Sequence, residues 1–173
     1  MRGLALWLAV FVLLAFESPL LYQAHVAHYA PDVVLIAAIY LGLTSSFESG
    51  LFICFVLGFL KDGFALGSPV GLYTEITVLV FLVSFRLSRR LAVRGPVSVV
   101  FLTAFFSLGA SFLELLLCLT FDRTFGQGAS GPGLILSMML PQALISAPFG
   151  PVVFWLLERL DTWTTHKNDS LYF

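Results

Sequence analysis

Charge is nearly absent from long stretches of this chain, and that absence constrains the fold more than any motif does. Apolar runs fall near residues 3–22, 33–43, 50–60, 70–85, 97–121 and 134–157, separated by short polar connections. Only 11% of the 173 residues are charged and 59% are hydrophobic, where soluble proteins carry about 25% charged residues. The pattern predicts an all-α integral membrane protein, a single domain over residues 1–173 with six transmembrane helices, because helices satisfy their own backbone groups in lipid. No polar stretch is long enough for a soluble catalytic or nucleic-acid-binding domain, and a net charge of −1 gives no global basic field.

The opening run, "MRGLALWLAVFVLLAF", has the positive residue and apolar core of a signal peptide but no small-x-small cleavage site after it, so it reads as a retained first span. Runs two and three have eleven residues each, about 16 Å of helix, short of a hydrocarbon core of about 30 Å. The break "TSSFESG" predicts two helices with a tight turn at Ser45, Ser46, Glu48 and Gly50; one long interrupted helix is the alternative. Cys54 and Cys118 lie within apolar runs, which argues against a disulfide framework.

Basic residues set the orientation. The linker "RLSRRLAVR" holds Arg86, Arg89, Arg90 and Arg94, which the positive-inside rule assigns to the cytoplasm; six spans then put both termini there too. Seven of the nine basic residues become cytoplasmic, leaving Lys61 and Arg123 outside. Trp7, Trp155 and Trp163 fall near the inner interface, where an indole ring sits well. On this map Glu17, Asp32, Asp62, Glu75, Glu114 and Asp122 come out in the outer half, giving −4 outside and +3 inside. Glu17, Glu75 and Glu114 lie within predicted spans, where a carboxylate costs a few kcal/mol unless neutral, paired or wet. A polar patch opening outward follows.

The segment "FLKDGFALGSPVGLYTE", residues 59–75, is expected to form its rim. Lys61 and Asp62 end the third helix, Gly63, Gly67 and Gly71 let the backbone turn around Ser68 and Pro69, and Tyr73 and Glu75 begin the fourth. The plainer alternative is that Lys61 and Asp62 mark a wet helix end to which Glu75 snorkels.

"PDVVLIAAIYLGL" at 31–43 and "ESGLFICFVLGFLKDGFALGSPVGL" at 48–72 resemble the central pattern of the rod shape-determining protein MreD family, through Pro31, Asp32, Tyr40, Gly50, Gly58, Asp62, Gly67, Pro69 and Gly71. "LPQALISAPFGPVVFWLLERLD", with Pro141, Pro148 and Arg159, is similar more loosely. The resemblance implies a non-enzymatic, cofactor-free scaffold of the bacterial inner membrane. Such a protein serves the cell-elongation (rod) machinery, supporting lateral peptidoglycan synthesis and cell shape. Its expected partners are MreC, RodA, a class B penicillin-binding transpeptidase and, indirectly, MreB filaments, together with membrane lipids. The family is similar in fold to the substrate-binding S-components of energy-coupling-factor transporters, so a transporter substrate-binding subunit is the alternative function. Partner or pocket candidates are Asp32, Tyr40, Asp62, Gly67, Pro69, Gly71, Glu75 and Glu114. Lys61 departs from the family, which has an apolar residue there, and it supplies a cation able to pair with an acid.

Other signals carry less. His25 and His28 have helical i, i+3 spacing but no third ligand, so no metal site is expected. "GQGASGPG" at 126–133 lacks the Gly-Lys-Ser/Thr ending of a phosphate loop and reads as a connector. Ala5 and Ala9 form a small-xxx-small pair of the kind that docks helices, here in the first span. Topology and contact with anionic lipid account for the arginine linker, a filament-docking site being the alternative. Ser107, Ser111, Ser137 and Ser146 lack a base at a recognisable spacing and are expected to bond to helix backbones or neighbouring helices. Glu75 and Glu114 could form an acid–base pair, but nothing marks a substrate.

Overall fold

A computed structural model describes residues 8, 10–12, 31–64, 71–88, 95–121 and 132–169. Among the described residues all regular structure is helical. Residues 8 and 10–12 belong to a first helical segment, and five helices follow: α1 (Val33–Thr44), α2 (Phe47–Phe64), α3 (Leu72–Ser88), α4 (Pro96–Phe121) and α5 (Pro132–Asp169).

Local chemistry sets their ends. Asp32 caps α1, its Oδ1 accepting the Leu35 N–H at 3.0 Å. Ser45 closes the helix in an extended conformation, its N–H still reaching the Leu41 carbonyl at 2.9 Å. Only Ser45 and Ser46 separate α1 from α2, so residues 33–60 form two helices, as the sequence predicts, and not one broken rod. Gly71 precedes α3 with φ +104°, a left-handed geometry that favours glycine. Pro96 and Pro132 each open a helix, where the missing N–H costs nothing.

Several boundaries differ from expectation. The α2 helix begins at Phe47, so Glu48 and Gly50, expected in the turn, are helical and only Ser45 and Ser46 make the break. The α2 helix continues to Phe64, so Gly63 is helical and not part of a loop; three glycines in nine residues read as a turn, but the first of them lies within the helix. The α5 helix takes in Pro132 and Gly133 from the expected connector and runs to Asp169, past Pro141, Pro148 and Pro151. Each internal proline removes an intrahelical hydrogen bond.

The short α1 is the centre. From Val34 to Leu41 its residues are almost wholly buried on every side, which explains a helix that is apolar all round. It packs against all four of the other helices named here. The α2 and α3 helices form an antiparallel hairpin: Gly58 faces Thr74 while Gly50 faces Phe81. The other main pair, α4 with α5, meets where Thr103 packs beneath Gly150. Among the described residues two stretches, Pro96–Leu117 and Met139–Thr162, are long and apolar enough to cross a membrane.

Candidate functional site

The polar groups converge where the N-termini of α1 and α3 meet the C-terminal end of α2. Lys61, near the end of α2, places its Nζ 2.5 Å from Asp32 Oδ2 and 4.5 Å from the centre of the Tyr73 ring. The Tyr73 hydroxyl donates to Glu114 Oε1 on α4 at 3.3 Å. The Asp32 N–H donates to Ser146 Oγ on α5 at 3.2 Å. Four helices and the cap of α1 are thus joined by one network holding three carboxyl groups and one ammonium, when Asp62 is counted.

Asp62 has a distinct task. It is buried, and its carboxylate accepts the Tyr73 N–H at 2.8 Å, the Thr74 N–H at 3.1 Å and the Thr74 hydroxyl at 2.5 Å. These are the second and third N–H groups of α3, which an N-cap side chain ordinarily satisfies. The residue in the cap position is Gly71, whose carbonyl accepts the Glu75 N–H at 2.9 Å but which has no side chain to offer. Asp62 caps α3 from the end of the neighbouring helix, and its negative charge suits the positive end of the α3 dipole.

Several expected residues fall elsewhere. Glu75, anticipated in the pocket, is exposed and lies off the face of α3 that packs inward through Leu72, Ile76, Thr77, Val80, Phe81 and Ser84. Tyr40 lies two turns along α1 from Asp32 in the apolar core, its ring edge-on to Phe154 with centroids 5.4 Å apart. Gly71 is in place at the start of α3. Gly67, Pro69, Arg89, Arg90 and Arg94 lie outside the described residues, as do Ala5, Ala9, Glu17, His25, His28, Asp122 and Arg123. Arg86, thirteen residues beyond Tyr73 on α3, is about 20 Å away along the helix, so the network and this arginine occupy opposite ends of it.

Tyr73 and Thr74 fall in the segment expected to form the rim, and Ser146 was expected to bond to a backbone or a neighbouring helix, but their particular partners, Glu114, Asp62 and Asp32, are not legible in the sequence. The row Gly50, Cys54, Gly58 and Asp62, spaced by four along one face of α2, is legible as a small-residue packing seam ending in an acid, and only Asp62 of it is among the expected site residues. Nothing in the sequence could have paired Ser146 with Asp32 across 114 positions. Of the serines, Ser111 donates to the Ser107 carbonyl of its own helix. Among the described residues no group of three His, Cys, Asp or Glu side chains is placed to hold a metal ion.

The ion pair is only partly shielded, with side-chain exposures of 21% for Lys61 and 12% for Asp32. Replacing Lys61 with methionine leaves the Asp32 carboxylate without its cation and should cost about 2 kcal/mol, between the values for buried and surface pairs. Adding Asp32→Asn to Lys61→Met should recover part of that loss. Thermal denaturation of the four chains of this cycle gives the coupling, and strict additivity would show that the pair contributes nothing.

No family model, curated protein or solved structure matches this chain.

Proposed function

We propose that the chain is a multi-pass protein of the bacterial inner membrane and a non-enzymatic scaffold of the MreD kind. On this reading it has six spans, its termini are cytoplasmic and its polar network faces the periplasm. It holds MreC and, with RodA and a class B transpeptidase, supports peptidoglycan synthesis along the lateral wall, with MreB filaments coupled from inside.

The observation that carries this reading is how the network's polar atoms are used. Asp62 fastens α2 to α3, Asp32 fastens α1 to Lys61 and to Ser146, and Tyr73 ties α3 to α4. These bonds join helices; they do not arrange a nucleophile against a base. Such a frame suits a protein whose work is to present fixed helix faces to partners. The two long apolar stretches and the arginine-bearing end opposite the network are consistent with an outward-facing polar end.

One observation favours the second reading, a substrate-binding transporter subunit: Lys61, Tyr73 and Glu114 each keep part of their surface exposed at the polar end. Crosslinking in native membranes, followed by purification of the tagged chain and mass spectrometry, separates the two. Recovery of MreC with the wall synthases is the expected result. Recovery of a transmembrane coupling protein with ATPases in their place would overturn the scaffold reading and favour transport.

A further inference from the structure

The helices of this bundle present outer faces of very unequal apolar length. On α3 the exposed row runs Glu75, Leu79, Leu82, Arg86, at spacings of four, three and four, so all four share one face. Eleven residues separate the two charges, about 16 Å of helix. On α4 the exposed row runs from Val97 through Phe101, Phe105 and Phe112 to Leu119 without a charge, about 33 Å. On α5 it runs from Leu136 to Trp155, about 28 Å. A hydrocarbon core of about 30 Å therefore matches α4 and α5, and is nearly twice the apolar length that α3 offers.

Glu75 and Arg86 are both exposed, and neither is paired among the described residues. In a bilayer of ordinary thickness one or both would sit in hydrocarbon, which is costly for a charge. Resting on the membrane reading above, we propose that the α3 face is an interaction surface for a locally thinned bilayer. The two headgroup layers close toward Glu75 and Arg86, and α4 and α5 stand in bilayer of normal depth. Arg86 meets the lipid phosphates of its leaflet, and Glu75 reaches water at the opposite one.

A second copy of the chain fits this face poorly. A two-fold axis along the membrane normal brings the same patch of both subunits together. Glu75 would then oppose Glu75 and Arg86 oppose Arg86, like against like. Lipid of short hydrophobic length carries no such conflict, and it needs no counter-charge buried between helices.

The test uses the full chain with its native tryptophans replaced by phenylalanine and a single reporter introduced by Leu79→Trp on α3 or by Phe105→Trp on α4. Each is reconstituted in vesicles that mix short-chain and long-chain phosphatidylcholines, one of the two brominated to quench the indole. The α3 reporter is expected to favour the short chains by about twofold or more, and the α4 reporter to show no such preference. Adding Glu75→Leu and Arg86→Leu, which lengthens the apolar row, should abolish the α3 preference. Equal preferences at the two reporters overturn the proposal. Quenching at α4 but not at α3 also overturns it, because the face is then covered by protein. Absence of quenching at both reporters removes the membrane reading itself, and this inference with it.

Discussion

Replacing Asp62 with alanine lowers the stability of the purified chain by about 3 kcal/mol, which for a protein of this size shifts the thermal midpoint by about 10 °C. The effect is large for a single side chain because three donors lose their acceptor together: the Tyr73 and Thr74 N–H groups and the Thr74 hydroxyl. Gly71, in the cap position, has no side chain to replace it, and the site is too buried for water to do so freely. Asp62→Asn keeps one carbonyl acceptor but turns an amide donor toward the remaining N–H groups, so it should recover about half of the loss. Glu75→Gln, at an exposed position three residues into the same helix, is the control and should stay within about 0.5 kcal/mol. Equal midpoints for Asp62→Ala and Glu75→Gln in detergent would show that Asp62 does not cap α3.

Two glycines on one helix should respond to alanine with opposite signs. Gly58→Ala destabilises by about 3 kcal/mol, the upper end of ordinary overpacking, because its new methyl group falls 2.6 Å from the Thr74 Cα and 3.1 Å from the Tyr73 carbonyl oxygen. Both atoms are backbone, so no rotamer change can clear them; α2 and α3 must separate, and the Asp62 cap one turn further along would lengthen with them. Gly63→Ala meets nothing within 4 Å and is exposed in the last turns of the same helix. It should stabilise by about 0.5–1 kcal/mol through helix propensity alone. Denaturation of the two variants side by side decides the matter, and a Gly58→Ala chain as stable as the parent would mean that the α2–α3 approach is looser than described.

These two predictions mark how far the sequence could be read. The sequence was enough for the helical class, for the break at Ser45 and Ser46, and for the start of α1 at Asp32, because each depends on residues that are neighbours along the chain. The gathering of Asp32, Lys61, Asp62 and Glu114 was anticipated as a polar patch, since charges scarce in an apolar chain tend to be satisfied by one another. Glu75 was expected to join them and does not. It follows Tyr73 and Thr74 by only one or two positions, but a helix turns about 100° per residue, and Glu75 points away while its neighbours turn toward Asp62.

The features legible along the chain are therefore local: the helical class, the start of α1 at Asp32, the break at Ser45 and Ser46, and the avoidance of charge over most of the helices' length. Which carboxylate serves which helix depends on how the helices pack. Asp62 caps a helix it does not belong to, Ser146 meets Asp32 across 114 positions, and Glu75 is left outside. The physical reason is that helix periodicity fixes a residue's face only relative to its own axis. The rotation and approach of one helix against another are set by close contacts, here the seam through Gly50, Cys54 and Gly58, and those depend on shape at distances that sequence order does not record.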